Sequence, residues 1–302
     1  MRTSMQVKAL VRNLSKKLNV ESEVLLRSFM MERFLERIAA SRYRHSFILK
    51  GGMLIASMVG IDTRTTMDMD ATIKGTPLTS QEINTIIEEI LLAPVTDDGV
   101  EFILRGVEEI RDEADYPGYR VSIGAIFDKT RQTLKVDITT GDFITPKEIE
   151  YNYKLMLEDR SIRIMAYNLE TVLAEKFETI VTRGVTNSRM RDFYDIYILT
   201  ATQPFDRSTF VAALGKTIEK RGTVHQMSKS AEVVDVVSKS PVMIELWHKY
   251  RNKYNYATPV TWEMVIDAVK ALAELESNRE SQAVALRLLK MMSWHRSHLL
   301  VS

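Results

Sequence analysis

Apolar residues recur at helical spacing from about residue 5 to residue 40. In "VESEVLLRSFMMERFLERIAASRY", Val24, Leu25, Phe29, Phe34, Leu35 and Ile38 fall roughly on one face, which predicts amphipathic helices. The period then shortens. "SFIL" reads as a strand, Lys50-Gly51-Gly52 breaks it, and an apolar run from Gly51 to about Val59 reads as a helix. "TTMDMDATIKG" alternates like a strand, and "SQEINTIIEEILLA" predicts a helix with Ser80 as its cap. Residues 100–111 and 118–127 read as strands, and "FDKTRQT" as a hairpin turn into the strand "LKVDITT". Beyond about residue 160 helical patterns dominate. The chain is therefore expected to form a mixed α/β lobe over 1–160 and a helical lobe over 161–302. No Pro-, Gly- or Ser-rich linker separates them, so close packing is expected, and no internal repeat is seen.

Composition narrows this picture little. The chain has 302 residues, 45% hydrophobic and 27% charged, in the range of globular proteins with a sizeable core. A net charge of +1 gives no overall field toward nucleic acid or an anionic membrane, so any basic surface must be local. With no cysteine there are no disulfides, thiolate metal ligands or cysteine nucleophiles. The N-terminus alternates basic and apolar residues and lacks the apolar run of a signal peptide. The longest weakly polar run, residues 51–61, falls far short of a membrane span. A cytoplasmic protein is the expectation.

Candidate chemistry begins at Asp68 and Asp70. On a strand, residues two apart share a face, and two carboxylates side by side repel unless a cation bridges them or one is protonated. Mg²⁺ suits such a pair, completing its shell with water and phosphate oxygens. A solvated edge strand or a turn would explain the two acids without any ion. Gly51-Gly52, between a strand and a helix, lets backbone approach an anion at the helix N-terminus, although a plain tight connection uses the same residues. Asp137, mid-strand among β-branched residues, is the candidate third carboxylate, or else an ordinary solvent-facing acid. In "NLETVLAEKFETIVTRG", Leu169, Val172, Leu173, Phe177, Ile180 and Val181 form one apolar stripe between an Asn168 cap and Gly184. Lys176 falls inside it, where it must either snorkel to solvent or meet an anion such as phosphate. In "NSRMRDFYDIYIL", Asp192 and Asp195 share a face with Ile196 and Leu199. Arg189 lies one turn before Asp192, and Arg191 could form an i,i+4 pair with Asp195.

Four stretches together, "LKGGMLI", "RTTMDMD", "VDITTGDFITP" and "LAEKFETIVTRGVTNSRMRDFYDIYIL", resemble the AbiEii family, the nucleotidyltransferase toxins of type IV toxin–antitoxin and abortive-infection systems. The similarity runs from about residue 25 to 225 and ends with "ALGKTIEKRGT". It implies an α+β fold: a polymerase-β-type mixed sheet with N-terminal helices, then a helical lobe closing over the nucleotide. It implies a Mg²⁺-dependent enzyme using an NTP, with an antitoxin encoded alongside. Carried onto this chain, Gly51 and Gly52 would hold phosphates with Lys50 nearby, Arg64 and Thr66 joining them. Asp68 and Asp70 would bind metal with Asp137 as third carboxylate. Lys176 would contact the triphosphate, Asp192 would be the catalytic acid of the helical lobe, and Arg189, Arg191 and Asp195 would support it.

The chain departs from the wider pattern in two places. Gly51-Gly52 stands where Gly-Ser is frequent, and Arg191-Asp192 where Lys-Asp is usual. Thr65 and Thr66 lie where some relatives carry a modifiable hydroxyl. By resemblance the acceptor would be RNA, at the 3′ end of tRNA, blocking translation. Alternatives are a protein hydroxyl, a small molecule, or a nucleotide-binding regulator without catalysis. A final basic helix over "SNRESQAVALRLLKMMSWHRSHLLVS", with four cations against Glu280, is a further hint of RNA or else a solvated helix.

Overall fold

The computed structural model describes residues 3–75, 78–96, 98–110 and 118–277. The expected basic C-terminal helix lies outside the described residues. The chain divides into two compact units, Met1–Val172 and Leu173–Ser302.

In the first unit, Thr3 opens helix α1 (Ser4–Leu18) with a reciprocal cap to Gln6, and Asn19 in the left-handed region closes it. Helix α2 (Ser22–Ala40) is buried on most of its circumference, including the polar residues Glu32, Arg33 and Arg37. Arg37 reaches Asp98 at 2.8 Å and the Val100 carbonyl at 3.0 Å, so its charge is paired and its donors used. Helix α3 spans Gly51–Val59, as the apolar run predicts. Helix α4 (Ser80–Leu91) starts one residue earlier in its logic than the sequence suggests. Thr79, not Ser80, is the cap: its hydroxyl accepts from the Glu82 amide, and Glu82 accepts from the Thr79 amide at 2.7 Å.

Among the described residues, seven strands form one mixed sheet: β1 (Phe47–Lys50), β2 (Met69–Ile73), β3 (Val100–Ile110), β4 (Gly118–Phe127), β5 (Thr130–Thr140), β6 (Ile149–Lys154) and β7 (Ser161–Ala166). Their order across the sheet is β3-β4-β5-β2-β1-β7-β6. The β2–β5 and β1–β7 pairs are parallel and the other four antiparallel. The β4–β5 hairpin turns at Asp128, which takes φ +56°. Alternation along β5 buries Leu134, Val136 and Ile138 and leaves Lys135 and Asp137 on the other face. β7 carries the sheet past residue 160, so the segment 161–166, expected in the helical lobe, belongs to the first unit.

Helix α5 (Leu169–Arg183) carries the junction between the units. Asn168 caps it as expected, its Oδ1 accepting from the Thr171 amide at 2.8 Å, and Gly184 follows it at φ +49°. The second unit continues with α6 (Met190–Thr202), α7 (Arg207–Arg221), α8 (Val224–Met227), α9 (Ser230–Lys239), α10 (Pro241–Lys253) and a helix α11 over 262–277. Its core gathers Leu173, Phe177, Ile180, Phe193, Phe210, Trp247 and Val265.

Candidate active site

The register of four strands sets out the chemistry of the first unit. Lys50 of β1 is opposite Asp70 of β2, Asp70 is opposite Asp137 of β5, and Asp137 is opposite Arg120 of β4. Partners in register point to one face, so these residues form a single row of charges, plus, minus, minus, plus. Their neighbours Leu49, Ala71, Ile138 and Tyr119 are buried on the other face. Two carboxylates side by side repel, and Arg120 offsets this at one end of the row. Arg120 grips Asp137 with both arms, Nε to Oδ1 at 2.8 Å and Nη2 to Oδ2 at 2.7 Å. The hydrogen bond and charge of Asp137, with a smaller contribution from Asp68, raise the Arg120 pKa. Asp68 therefore lies within electrostatic reach of the same guanidinium.

Lys50 turns toward a residue outside the row. Its Nζ donates to Asp142 Oδ2 at 2.6 Å and to Thr139 Oγ1 at 2.7 Å, and lies 5.5 Å from the centre of the Tyr167 ring. Asp142 also accepts from the Thr139 and Tyr167 hydroxyls.

The start of α3 is built around Asp70. Gly51 has φ +66°, and a Cβ there would lie 2.0 Å from Asp70 Oδ2. Only glycine both adopts this backbone and leaves room for the carboxylate. Asp70 Oδ2 accepts from the Gly52 amide at 3.3 Å, so a negative group sits at the positive end of the helix. A Cβ on Gly52 would meet Thr66 Oγ1 at 2.7 Å and Arg64 Nη2 at 3.2 Å. Arg64 is 2% exposed and donates to the Thr65 carbonyl, while Thr66 Oγ1 donates to the Asp68 carbonyl at 3.1 Å. The two glycines thus let the Arg64–Asp70 segment lie against the first turn of α3. Asp68 sits in a bend just before β2 and not on the strand, so the same-face argument that joined it to Asp70 does not apply.

Asp68 and Asp70 are hard oxygen donors of the kind Mg²⁺ takes alongside water and phosphate oxygens. The three-carboxylate site expected with Asp137 is not assembled. Both Asp137 oxygens are held by Arg120, and among the described residues no group of three His, Cys, Asp or Glu side chains could hold a metal ion.

In the second unit, Lys176 neither snorkels nor stands free. Its Nζ lies 2.7 Å from Asp192 Oδ1 and 2.8 Å from Asp195 Oδ2, and its side chain is 13% exposed. The carboxylates are buried, at 2% and 0%. Burial alone would lower the lysine pKa, but the two aspartates outweigh it and the net shift is upward. Arg189 Nε adds a contact to Asp192 Oδ2 at 2.7 Å. Arg191 faces elsewhere: its guanidinium donates to the Tyr254 hydroxyl at 3.0 Å and lies over that ring, so the i,i+4 pair with Asp195 does not form.

The structure thus aligns Lys50, Asp70 and Asp137 in one row, sets Gly51, Gly52, Arg64 and Thr66 around the start of α3 beside Asp70, and leaves Asp68 in the bend before β2; in the second unit it brings Lys176, Arg189, Asp192 and Asp195 together. Sequence reasoning missed Arg120 and Asp142. The signal for Asp142 was available, since it follows Gly141 inside "VDITTGDFITP"; Arg120 depends on strand register, which no local pattern carries.

A family model described as the nucleotidyl transferase AbiEii toxin of a type IV TA system matches residues 33–280. The chain belongs to this family. The match begins a little later than the resemblance seen in the sequence and continues well beyond its end. No protein of curated function matches. Among solved structures, MenT4, a nucleotidyltransferase toxin from Mycobacterium tuberculosis H37Rv, superposes with a TM-score of 0.53 at 15% identity, covering 88% of this chain and 98% of that one. JHP933 from Helicobacter pylori gives a TM-score of 0.52 at 16% identity, covering 89% and 99%. At such identities the likeness establishes the fold alone, a nucleotidyltransferase-like mixed sheet followed by helices. Membership of the AbiEii family brings an NTP substrate and an antitoxin partner. Among the described residues no helix is long and apolar enough to cross a membrane.

Proposed function

We propose that this AbiEii-family chain transfers a nucleotide from an NTP to RNA, with the 3′ end of tRNA as acceptor. A tRNA so altered cannot carry its amino acid, which blocks translation and makes the chain a toxin. The observation that carries the phosphoryl-transfer reading is the meeting of Asp70 with the Gly51-Gly52 turn. A carboxylate rests on the amide end of α3 with no side chain between them. That same geometry can present a metal-bound phosphate to backbone N–H groups.

In this reading Asp68 and Asp70 hold Mg²⁺, which when bound neutralises phosphate charge and favours the attacking hydroxylate. Lys50, kept in place by Asp142, Thr139 and Tyr167, supplies positive charge beside the turn. Arg120 holds both Asp137 oxygens in place, so Asp137 orients the row and does not ligate metal. Lys176 is the triphosphate contact of the second unit. Asp192 and Asp195 hold it charged and rigid, and a phosphate oxygen must compete with them for its protons.

Incubating the protein and MgCl₂ with each labelled NTP, in turn with total tRNA, a protein extract and small hydroxyl acceptors, tests the proposal. Label on tRNA, mapped by 3′-end sequencing, is the expected result. Label confined to protein or to a small molecule overturns the RNA acceptor, and binding of NTP without any transfer overturns catalysis.

A further inference from the structure

The end of α10 and the turn after it read "HKYRNKYNY", residues 248–256. Three tyrosines, two lysines, an arginine and a histidine stand here, and no acid occurs between Glu245 and Glu263. Interleaved aromatic and cationic residues without acids are the composition of a surface for single-stranded nucleic acid, where bases stack on rings and cations follow the phosphates.

The fold gathers these side chains instead of dispersing them. Tyr254 and Tyr256 are half-buried and stacked, with ring centres 5.4 Å apart and planes 25° from parallel. Tyr250 lies 4.8 Å from Tyr254, its hydroxyl is 2.9 Å from that of Tyr256, and the buried Tyr194 ring lies 4.9 Å from the Tyr256 ring. Two cations lie over Tyr254: Arg191 at 5.6 Å and the exposed Lys253 at 5.5 Å. The Arg191 guanidinium also fixes the Tyr254 hydroxyl. Arg191 is the residue before Asp192 on α6, so the pair is tied to the helix that carries the Lys176 partners. A tyrosine serving the core alone would be buried as Tyr194 is, at 1% exposure, and would not need two cations over one ring.

We infer that Tyr254 and Tyr256, with Lys253 and Arg191, form a stacking platform for unpaired bases of the acceptor RNA. The inference rests on the RNA reading above, and it places acceptor binding on side chains that the transfer chemistry does not use. Affinity through such a platform depends on the bases as well as on charge, which separates it from a merely basic surface.

The test is fluorescence-anisotropy binding of a short labelled single-stranded RNA to the full chain over a salt series. Inorganic polyphosphate, a polyanion without bases, serves as competitor. Tyr254→Ser is expected to weaken RNA binding by roughly 5- to 150-fold, the range for one lost stacking contact. Tyr254→Phe keeps the ring and is expected to bind like wild type, and thermal melts of both variants report folding. Lys253→Gln is expected to lower the slope of log affinity against log salt by about 0.7, the share of one phosphate contact with a single strand. Equal weakening in Tyr254→Phe and Tyr254→Ser would reduce the residue to a structural tether for Arg191 and overturn the platform. So would full affinity in Tyr254→Ser, or polyphosphate competing as well as RNA. If RNA binds through Tyr254 but receives no nucleotide, the transfer reading fails and the platform stands. If RNA is labelled at the wild-type rate by Tyr254→Ser, the platform fails and the transfer reading stands.

Discussion

Lys176→Met isolates the ion cluster of the second unit. Methionine keeps most of the aliphatic stem and removes the charge, leaving Asp192 and Asp195 buried at 2% and 0% exposure with their shared cation gone. Removing one partner of a buried ion pair typically destabilises by about 3–5 kcal/mol, because the remaining charge is uncompensated. Two carboxylates facing one vacancy place the expected effect at the upper end, although Arg189 retains its contact with Asp192. In a unit of this size about 3–4 °C of melting temperature accompanies each kcal/mol, so a drop of roughly 10–20 °C is expected. Tryptophan fluorescence reads this unit selectively, since all three tryptophans, Trp247, Trp262 and Trp294, follow residue 173. The raised lysine pKa means its contribution is fully present below the unfolded value of 10.5 and is lost only as pH rises through the folded value. This residue's penalty is therefore expected to be flat through the neutral range. Adding Asp192→Asn and Asp195→Asn to Lys176→Met removes the stranded charges and should recover most of the loss. If Lys176→Met melts with wild type, or the triple variant melts no higher than the single one, the ion cluster is not what holds this part of the core. If Lys176 also contacts the triphosphate, Lys176→Arg, which keeps the charge in a planar fork, is expected to restore stability better than it restores the transfer rate.

Asp68→Ala and Asp70→Ala are each expected to abolish nucleotide transfer and growth inhibition while secondary structure by circular dichroism is unchanged; wild-type labelling by either would remove it from the site. Gly51→Ala forces a left-handed alanine, at about 1–2 kcal/mol, and drives a methyl into Asp70. Melting should fall, and a Gly51→Ala/Asp70→Ala double variant should lose less than the sum of the two single changes. Glu32, buried on α2 with Oε1 accepting from the Met156 amide at 2.9 Å, has its pKa pushed up to about 8, chiefly by burial and against the pull of that amide and Arg33. Its folded form holds a proton that the unfolded chain releases near 4.5, so stability should fall as pH rises from about 4.5 to about 8, by at most about 5 kcal/mol. Glu32→Gln mimics the protonated acid, and denaturant midpoints across that window should lose most of this slope; an unchanged slope would assign it to other groups.

Helices were legible because their apolar stripes repeat within a dozen residues, and the stripes exposed Lys176, Asp192 and Asp195 as charges out of place. What the stripes did not show is that these anomalies of opposite sign answer each other. That pairing depends on how α5 and α6 face, which is a tertiary fact. The strand 161–166 escaped because Ile162, Ile164 and Ala166 give only three inward positions. Its parallel partner β1 is more than a hundred residues earlier, too far for any local signal. Asp137 was correctly singled out as a mid-strand acid, but its partner Arg120 lies across a hairpin whose register must be known residue by residue. Gly51 was legible as a close-approach glycine; that the approaching group is the chain's own Asp70 was not.

The row Lys50–Asp70–Asp137–Arg120 also constrains how the sheet can assemble. Strand β2 joins β1 and β5, and its partner residues 70 and 137 must find each other across a long stretch of chain. A slip of one residue in β2 would turn Asp70 into the layer that holds Leu49, Val136 and Ile138 and turn Met69 out to water, an error that buries an unpaired charge. The acids proposed for phosphate chemistry therefore exclude the neighbouring misregistered sheets. An alanine at position 70 removes that exclusion along with the carboxylate. Such a variant can keep its melting temperature and still sample slipped pairings, visible as faster amide exchange in β2, which makes Asp70→Asn the cleaner probe of chemistry.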